Sequence, residues 1–359
     1  IKQLKLEADI MHCHDWQSAL IPVYLKTRFQ NDPYFKKTKS ILTIHNLAYQ
    51  GIFPKVEFHR LGVDHKYLSA EYFEYFNQIN LLKAAIVLSD RLTTVSEMYG
   101  QEILTKDFGC GLEEVLKKRK DKIAGIVNGI DYDIWNPQED EAIVKTFLVA
   151  DVQEGKLKNK QALQMDCGFE KTDKIPLFGF VGRLSHQKGV DLIIDWLKLK
   201  KDYTAQFVFE GVGDEKYAGD LRELAARHPK HIFVHLAYDE PTAHKIYAAS
   251  DYLLMPSRYE PCGLSQLIAM HYGAIPIAYK TGGLADTVKP IGESAEKGIV
   301  MNSLDQAALT KAFQQAEKIF EDKAHLKILR ENGMNADFSW DHSAEEYEKL
   351  YNELTQVSS

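Results

Sequence analysis

Tyr252-Leu253-Leu254-Met255-Pro256-Ser257-Arg258-Tyr259-Glu260-Pro261-Cys262-Gly263-Leu264-Ser265-Gln266 decides the fold of this chain. The apolar run Tyr252–Met255 predicts a strand, and the amphipathic run Leu264–His271 predicts a helix. A tight turn with Glu260 at its tip joins them. Helix N-termini carry free N–H groups and partial positive charge, which suit an anion such as phosphate. A carboxylate beside that end must face a different part of any ligand. Glu260 is therefore placed for hydroxyls, and the amides of Leu264 and Ser265 for phosphate. A sugar nucleotide offers both groups.

The same strand–turn–helix alternation extends in both directions. Ahead of this turn, Asp9–His12, Ile41–His45, Arg91–Val95, Ile123–Val127, Leu177–Val181, Gln206–Phe209 and Ile232–His235 predict strands, and Ile275–Ala278 follows it. Between them Ser18–Arg28, Ile79–Leu88, Glu97–Thr105, Val152–Cys167, Val190–Lys198, Glu215–Arg227 and Thr242–Ala249 predict helices. Alternation of this kind predicts α/β architecture, with parallel sheets covered by helices on both faces.

A length of 359 residues suffices for two such domains with full cores. The seam is expected within Asn128-Gly129-Ile130-Asp131-Tyr132-Asp133-Ile134-Trp135-Asn136-Pro137. This gives a first domain over 1–136 and a second over 137–338. A charged terminal helix, Ala344–Leu354, lies in the remainder, 339–359, and is expected to pack back towards the first domain, with Trp340 ahead of it as an anchor.

Composition excludes several function classes. The net charge of −7 argues against a general nucleic-acid binder, which would show a basic face. No apolar run reaches the roughly 18–20 residues of a membrane span. Cys13, Cys110, Cys167 and Cys262 are scattered without a CxxC pair, as in reduced cytosolic proteins, and give no structural zinc signature.

Other strand ends carry candidate chemistry. Phe180-Val181-Gly182-Arg183-Leu184-Ser185-His186-Gln187-Lys188-Gly189 places two cations, Arg183 and Lys188, at the carboxyl end of a strand, where open α/β sheets bind ligands. They suit a departing pyrophosphate; a pair of solvated surface cations is the plainer alternative. Phe209-Glu210-Gly211-Val212-Gly213-Asp214 lacks the third glycine of a dinucleotide fingerprint, and a tight turn explains it as well as ligand contact does. His12 and His14 alternate on one strand and could supply two metal ligands, but no compelling third is visible, so no metal site is expected. His45-Asn46 has no local structural reason and is expected to line a cleft. Asp131-Tyr132-Asp133 has the form of a metal-binding D-x-D, but its place in the seam predicts a turn. The aromatic cluster Tyr72–Phe76 is expected in a core or an interface.

These blocks carry a resemblance. His14-Asp15-Trp16, Thr43 to Gly51, Asn128-Gly129-Ile130-Asp131, Gly182-Arg183-Leu184 with Gln187-Lys188-Gly189, Arg258 to Leu264, and Thr281 to Val288 resemble, in their order, the bacterial glycogen synthases and plant starch synthases. The resemblance spans essentially the whole chain. It implies the GT-B fold, two Rossmann-like domains facing across a cleft. It implies retaining transfer of glucose from ADP-glucose to an α-1,4-glucan, without a cofactor and in the cytoplasm, or in the plastid for a plant enzyme. It also implies roles. Arg183 and Lys188 would bind the donor diphosphate, in place of a metal. Glu260 would be the essential acid near the glucose, with Asp15, His45 and Asn46 contributed by the first domain. Tyr238 would lie near the adenine, Cys262 and Gly263 beside Glu260, and the Leu264 and Ser265 amides on the distal phosphate.

Two departures stand out. Related enzymes often place a second glutamate eight positions after the first; here Ile268 stands there, so the ribose must be held otherwise. The family also opens with a strand and a K-x-G-G-L loop, which does not precede Ile1. The first domain is therefore expected to be incomplete, with an exposed sheet edge. A catalytically inactive chain that still binds nucleotide or glucan is the alternative function. A glucan phosphorylase would further require a lysine-bound pyridoxal phosphate.

Overall fold

Apolar strands and amphipathic helices build two separate parallel sheets in the computed structural model, which describes residues 1–356. The chain divides into two units. One comprises Ile1–Asn128 together with the C-terminal segment from Asp341, and the other Gly129–Trp340.

In the first unit β1 (Ile10–His14), β2 (Lys39–Ile44), β6 (Arg91–Thr94) and β7 (Ile123–Gly125) form a parallel sheet in the order β1-β2-β6-β7. A small antiparallel sheet of β3 (Ile52–Pro54), β5 (Gln78–Asn80) and β4 (Glu74–Tyr75) lies in the connection between β2 and β6. The helices are α1 (Leu20–Lys26), α2 (Leu81–Leu88), α3 (Glu97–Glu102) and α4 (Glu113–Lys117). Asn80 ends β5 and caps α2, its side chain accepting the Lys83 N–H. The helix predicted from Ile79 therefore starts two residues later. Leu42, Ile44, Leu82, Ile86 and Leu92 form the core of this unit, with Phe73 from the aromatic cluster.

The second unit is a six-stranded parallel sheet. In chain order it comprises β8 (Leu177–Val181), β9 (Gln206–Glu210), β10 (Ile232–His235), β11 (Tyr252–Met255), β12 (Ile275–Tyr279) and β13 (Ile299–Met301). Their order in the sheet is β10-β9-β8-β11-β12-β13, the doubly wound arrangement. Covering helices are α5 (Val152–Asp166), α6 (Val190–Lys198), α7 (Glu215–Arg227), α8 (Glu240–Ala249), α9 (Ser265–His271), α10 (Gly282–Thr287), α11 (Gln306–Glu321) and α12 (Lys323–Met334). The chain order reverses between β8 and β11, which pair directly through Tyr252 and Leu253. That switch point is where open α/β sheets bind ligands.

The segment after Asn128 belongs to the second unit. Ile130 donates its N–H to the Phe338 carbonyl, and Trp135 stacks on His244 with ring centres 4.1 Å apart. Asp131-Tyr132-Asp133 is a turn: Asp131 accepts the Asp133 N–H at 2.9 Å, and the Tyr132 hydroxyl accepts from Phe338.

The last helix, α13 (Trp340–Gln356), includes Trp340 as its first residue. Trp340 is exposed, so it is not the anchor its position predicted. Leu350 instead packs with Ile41 and Ile126, flanked by Tyr347, Tyr351 and Leu354. Among the described residues no helix is long and apolar enough to cross a membrane.

Candidate active site

The two motifs at the switch point converge. β8 ends in Gly182–Lys188 and β11 ends in Pro256–Glu260. The Lys188 ammonium lies 2.5 Å from Glu260 Oε2, and the Ser257 hydroxyl donates to the same oxygen at 3.0 Å. Arg183 Nη2 donates to Gln187 Oε1 at 2.9 Å, and Gln187 Nε2 donates to the Tyr259 carbonyl at 3.2 Å. Gln187 thus ties the Arg183 loop to the residue before Glu260. Neither Gln187 nor Ser257 carries a signal of this role in the sequence alone.

Arg258 closes the arrangement from outside. Its guanidinium makes a fork-to-fork pair with Asp191 at 2.8 and 2.7 Å, and its N–H meets the Gln187 carbonyl. A bidentate pair of this kind fixes orientation as well as charge. Partial burial raises the Asp191 carboxyl, but the bonds and charge of the Arg258 guanidinium hold it below the usual carboxylate range.

Glu260 is 5% exposed and Cys262 is also buried. The turn they occupy is held from beneath by the start of α10, where the Gly283 N–H donates to the Glu260 carbonyl at 3.0 Å. Gln266 in α9 donates to the carbonyls of Cys262 and Gly263. Leu264 precedes the first helical residue, Ser265. Their amides donate to no backbone acceptor outside the helix among the described residues, as expected of a helix start. Ile268 is buried in the core and offers no polar group.

The turn Gly211–Gly213 packs on the Arg183 loop. Leu184 donates to Val212, and Asp214 donates back to Leu184. At Gly211 a Cβ would fall 1.8 Å from the Gly182 carbonyl oxygen, so only glycine fits. Tyr238, in the connection after β10, is 85% exposed.

In the first unit the other sequence candidates also lie together. Asp15 follows β1 with φ 53° and ψ −169°, a strained conformation for a non-glycine residue. Its N–H donates to the Thr43 carbonyl at 2.9 Å, and its carboxylate accepts the His45 N–H at 2.8 Å. His45 Nε2 shares a hydrogen bond of 3.0 Å with His14 Nδ1, and Asn46 Oδ1 accepts the Ala48 N–H.

His12 is the other member of the predicted metal pair. It stacks on His14, bonds Thr43 through Nε2 at 2.6 Å and meets the Tyr351 hydroxyl through Nδ1 at 2.7 Å. Burial, then the neighbouring His14 and His45, push its pKa down to about 4, so it is neutral at physiological pH. Among the described residues no group of three or more His, Cys, Asp or Glu side chains could hold a metal. Tyr351→Phe removes one partner of His12 and is expected to cost about 1–3 kcal/mol. A drop in melting temperature checks this; an unchanged melt would show that the His12–Tyr351 bond adds nothing to the hold on α13.

Residues 1–118 match the family described as "Starch synthase catalytic domain", and residues 168–335 match "Glycosyl transferases group 1". A glycogen synthase of Thermodesulfovibrio yellowstonii is 44% identical over 354 residues, covering 98% of this chain and 70% of its own length. The glycogen synthase of Geotalea daltonii is also 44% identical, over 98% of this chain and 73% of its own. The catalytic domain of starch synthase IV from Arabidopsis thaliana, solved with ADP and acarbose bound, superposes with a TM-score of 0.90 at 34% identity. That match covers 99% of this chain and 74% of the plant domain.

Proposed function

Since the chain belongs to the family of glycogen and starch synthases, we propose that it moves glucose from ADP-glucose to the non-reducing end of an α-1,4-glucan, with retention of configuration. One observation carries the reading. Two cations and a carboxylate from separate strand ends share one hydrogen-bonded cluster at the switch point of a doubly wound sheet. The relative solved with ADP and acarbose, a nucleotide and an oligosaccharide, has the same fold over nearly all of this chain.

In this reading Arg183 and Lys188 neutralise the diphosphate as its bond to glucose breaks, when its charge is greatest. The Leu264 and Ser265 amides hold the distal phosphate. Glu260, with its charge matched by Lys188 and Ser257, takes the glucose hydroxyls, while Cys262 and Gly263 shape the turn around it. The exposed Tyr238 ring stacks on adenine. Asp15, His45 and Asn46 provide the first unit's contacts to glucose. Retention follows a front-face route, in which the leaving diphosphate oxygen takes the acceptor hydroxyl's proton on the side that the glucan attacks. Cys13, Cys110, Cys167 and Cys262 form no disulfide among the described residues, which suits a reducing compartment such as the cytoplasm.

Glucose incorporation into glycogen, together with calorimetry of ADP binding, tests the proposal. Binding with transfer supports it, and binding without transfer marks a chain that holds nucleotide only. Arg183→Ala is expected to weaken ADP binding by about 1.5–3 kcal/mol, roughly ten- to a hundredfold. An unchanged dissociation constant would remove Arg183 from the diphosphate.

A further inference from the structure

Glu210, the last residue of β9, is 2% exposed yet ends in a polar group. Alternate strand residues share a face. Val208 packs on Ile246 and Ala249 of α8, which puts the Glu210 side chain on that same side of the sheet. Its Oε1 accepts the Asp239 N–H at 3.0 Å. Its Oε2 is buried and has no hydrogen-bond partner among the described residues. In register beside it on β10 stands His235, whose Nε2 is also buried without a partner.

The Asp239 bond matters because of where it lies. Asp239 caps α8 by accepting the N–H and hydroxyl of Thr242, and Tyr238 precedes it in the short connection from β10. On α8, the Tyr247 hydroxyl bonds Ser265 at the start of α9 and lies close enough to Glu210 and Tyr238 to feel the charge of both. Glu210 therefore lies under the segment that presents Tyr238. The groups facing it are the Asp239 carboxylate and N–H, the His235 imidazole and the Tyr247 hydroxyl.

We propose that Glu210 is a positioning residue for the nucleotide: as a neutral acid it holds the Asp239 N–H, and with it the connection that carries Tyr238, and on ionising it releases that connection. The inference rests on the reading of Tyr238 as the adenine contact. A neutral carboxyl is tolerated at this depth. A carboxylate there has one N–H donor, a bare Oε2 and the Asp239 carboxylate nearby, so it gains by opening to water. Burial, followed by that neighbouring carboxylate against the Asp239 N–H, pushes the Glu210 pKa up to about 7. A raised acid favours the folded arrangement while protonated. That contribution is complete below the ordinary carboxylate range and is lost as pH rises through about 7.

Calorimetry of ADP at about pH 6 and about pH 8.5, on this chain, on Glu210→Gln and on Glu210→Leu, tests the proposal. Glutamine keeps the acceptor for Asp239 and cannot ionise. Between the two pH values wild type is expected to weaken about tenfold relative to Glu210→Gln, which corresponds to the roughly one pH unit left between about 6 and the raised pKa of about 7. Titration of ADP is common to both proteins and drops out of the ratio. Glu210→Leu, without the acceptor, is expected to bind several-fold more weakly than Glu210→Gln at both values. A ratio between wild type and Glu210→Gln that does not change with pH overturns the proposal, whether or not the leucine variant folds. Amide exchange over residues 236–239, faster in wild type than in Glu210→Gln only at the higher pH, decides it independently of ligand. Failure of every protein to bind ADP would sink the nucleotide reading while leaving that exchange result to judge Glu210.

Discussion

Glu260→Gln is expected to lose about three orders of magnitude in turnover while holding ADP within a few-fold of wild type. Removing one preorganised electrostatic group from a buried site costs about 10²–10³ in rate. Glu260 is buried, and its charge is set against Lys188 and Ser257. Glutamine keeps the size and one oxygen but removes the charge that those donors oppose. The fold survives, because the contact that anchors the turn is the Glu260 backbone carbonyl rather than its side chain. Turnover is read from glucose incorporation at saturating donor, and ADP binding from calorimetry. A parallel fall in both would reduce Glu260 to a structural partner of Lys188.

Gly283→Ala is expected to be nearly as damaging from outside the cluster. A Cβ at this position would lie 1.9 Å from the Cys262 carbonyl oxygen and 2.5 Å from its carbon. Both are backbone atoms, so no side-chain rotation relieves the clash. The turn that carries Glu260 must move. Overpacking of this kind costs about 1–3 kcal/mol in stability. A displacement of about 1 Å at the reacting groups can cost a hundredfold in rate. The expected signature is a lowered melting temperature together with a loss of about a hundredfold in kcat/KM. Gly219→Ala is the control: in α7 an added Cβ meets nothing within 4 Å, and there alanine is expected to stabilise slightly. Full activity in Gly283→Ala would show that the turn is positioned by something other than the start of α10.

The second unit was the more legible in sequence. β8, α6, α7, β10 and β11 begin and end where their apolar runs and flanking turn residues place them. All but β10 are bounded on at least one side by glycine, proline or a capping side chain, so a local signal marks the limit. The small sheet of β3, β4 and β5 has no such signal. Its strands are two or three residues long, too short for a period to show, and Ile79 therefore passed for the start of a helix. Helices α10, α11 and α12 and strand β13 were not resolved from the sequence either.

At the candidate site, the residue types and the strand ends were legible, but the bonds were not. Lys188 and Glu260 stand 72 positions apart, and only the adjacency of β8 and β11 makes them a pair. Glu210 passed for part of a tight turn, since burial at a strand end cannot be read from one side chain. His12 suggested a metal because sequence shows its neighbour His14 but not Tyr351, which lies 339 positions away.

That remote tyrosine belongs to a helix made after the whole second unit. Ile41 and Ile126 lie buried against Leu350, beside Ile10, and all three isoleucines leave the ribosome long before it does. The 212 residues from Gly129 to Trp340 are synthesised in between. The second unit can therefore mature while an oily groove on the first stays uncovered, a window in which aggregation or chaperone capture competes with closure. Yield in the cell is thus expected to depend on how fast the codons of α13 are translated.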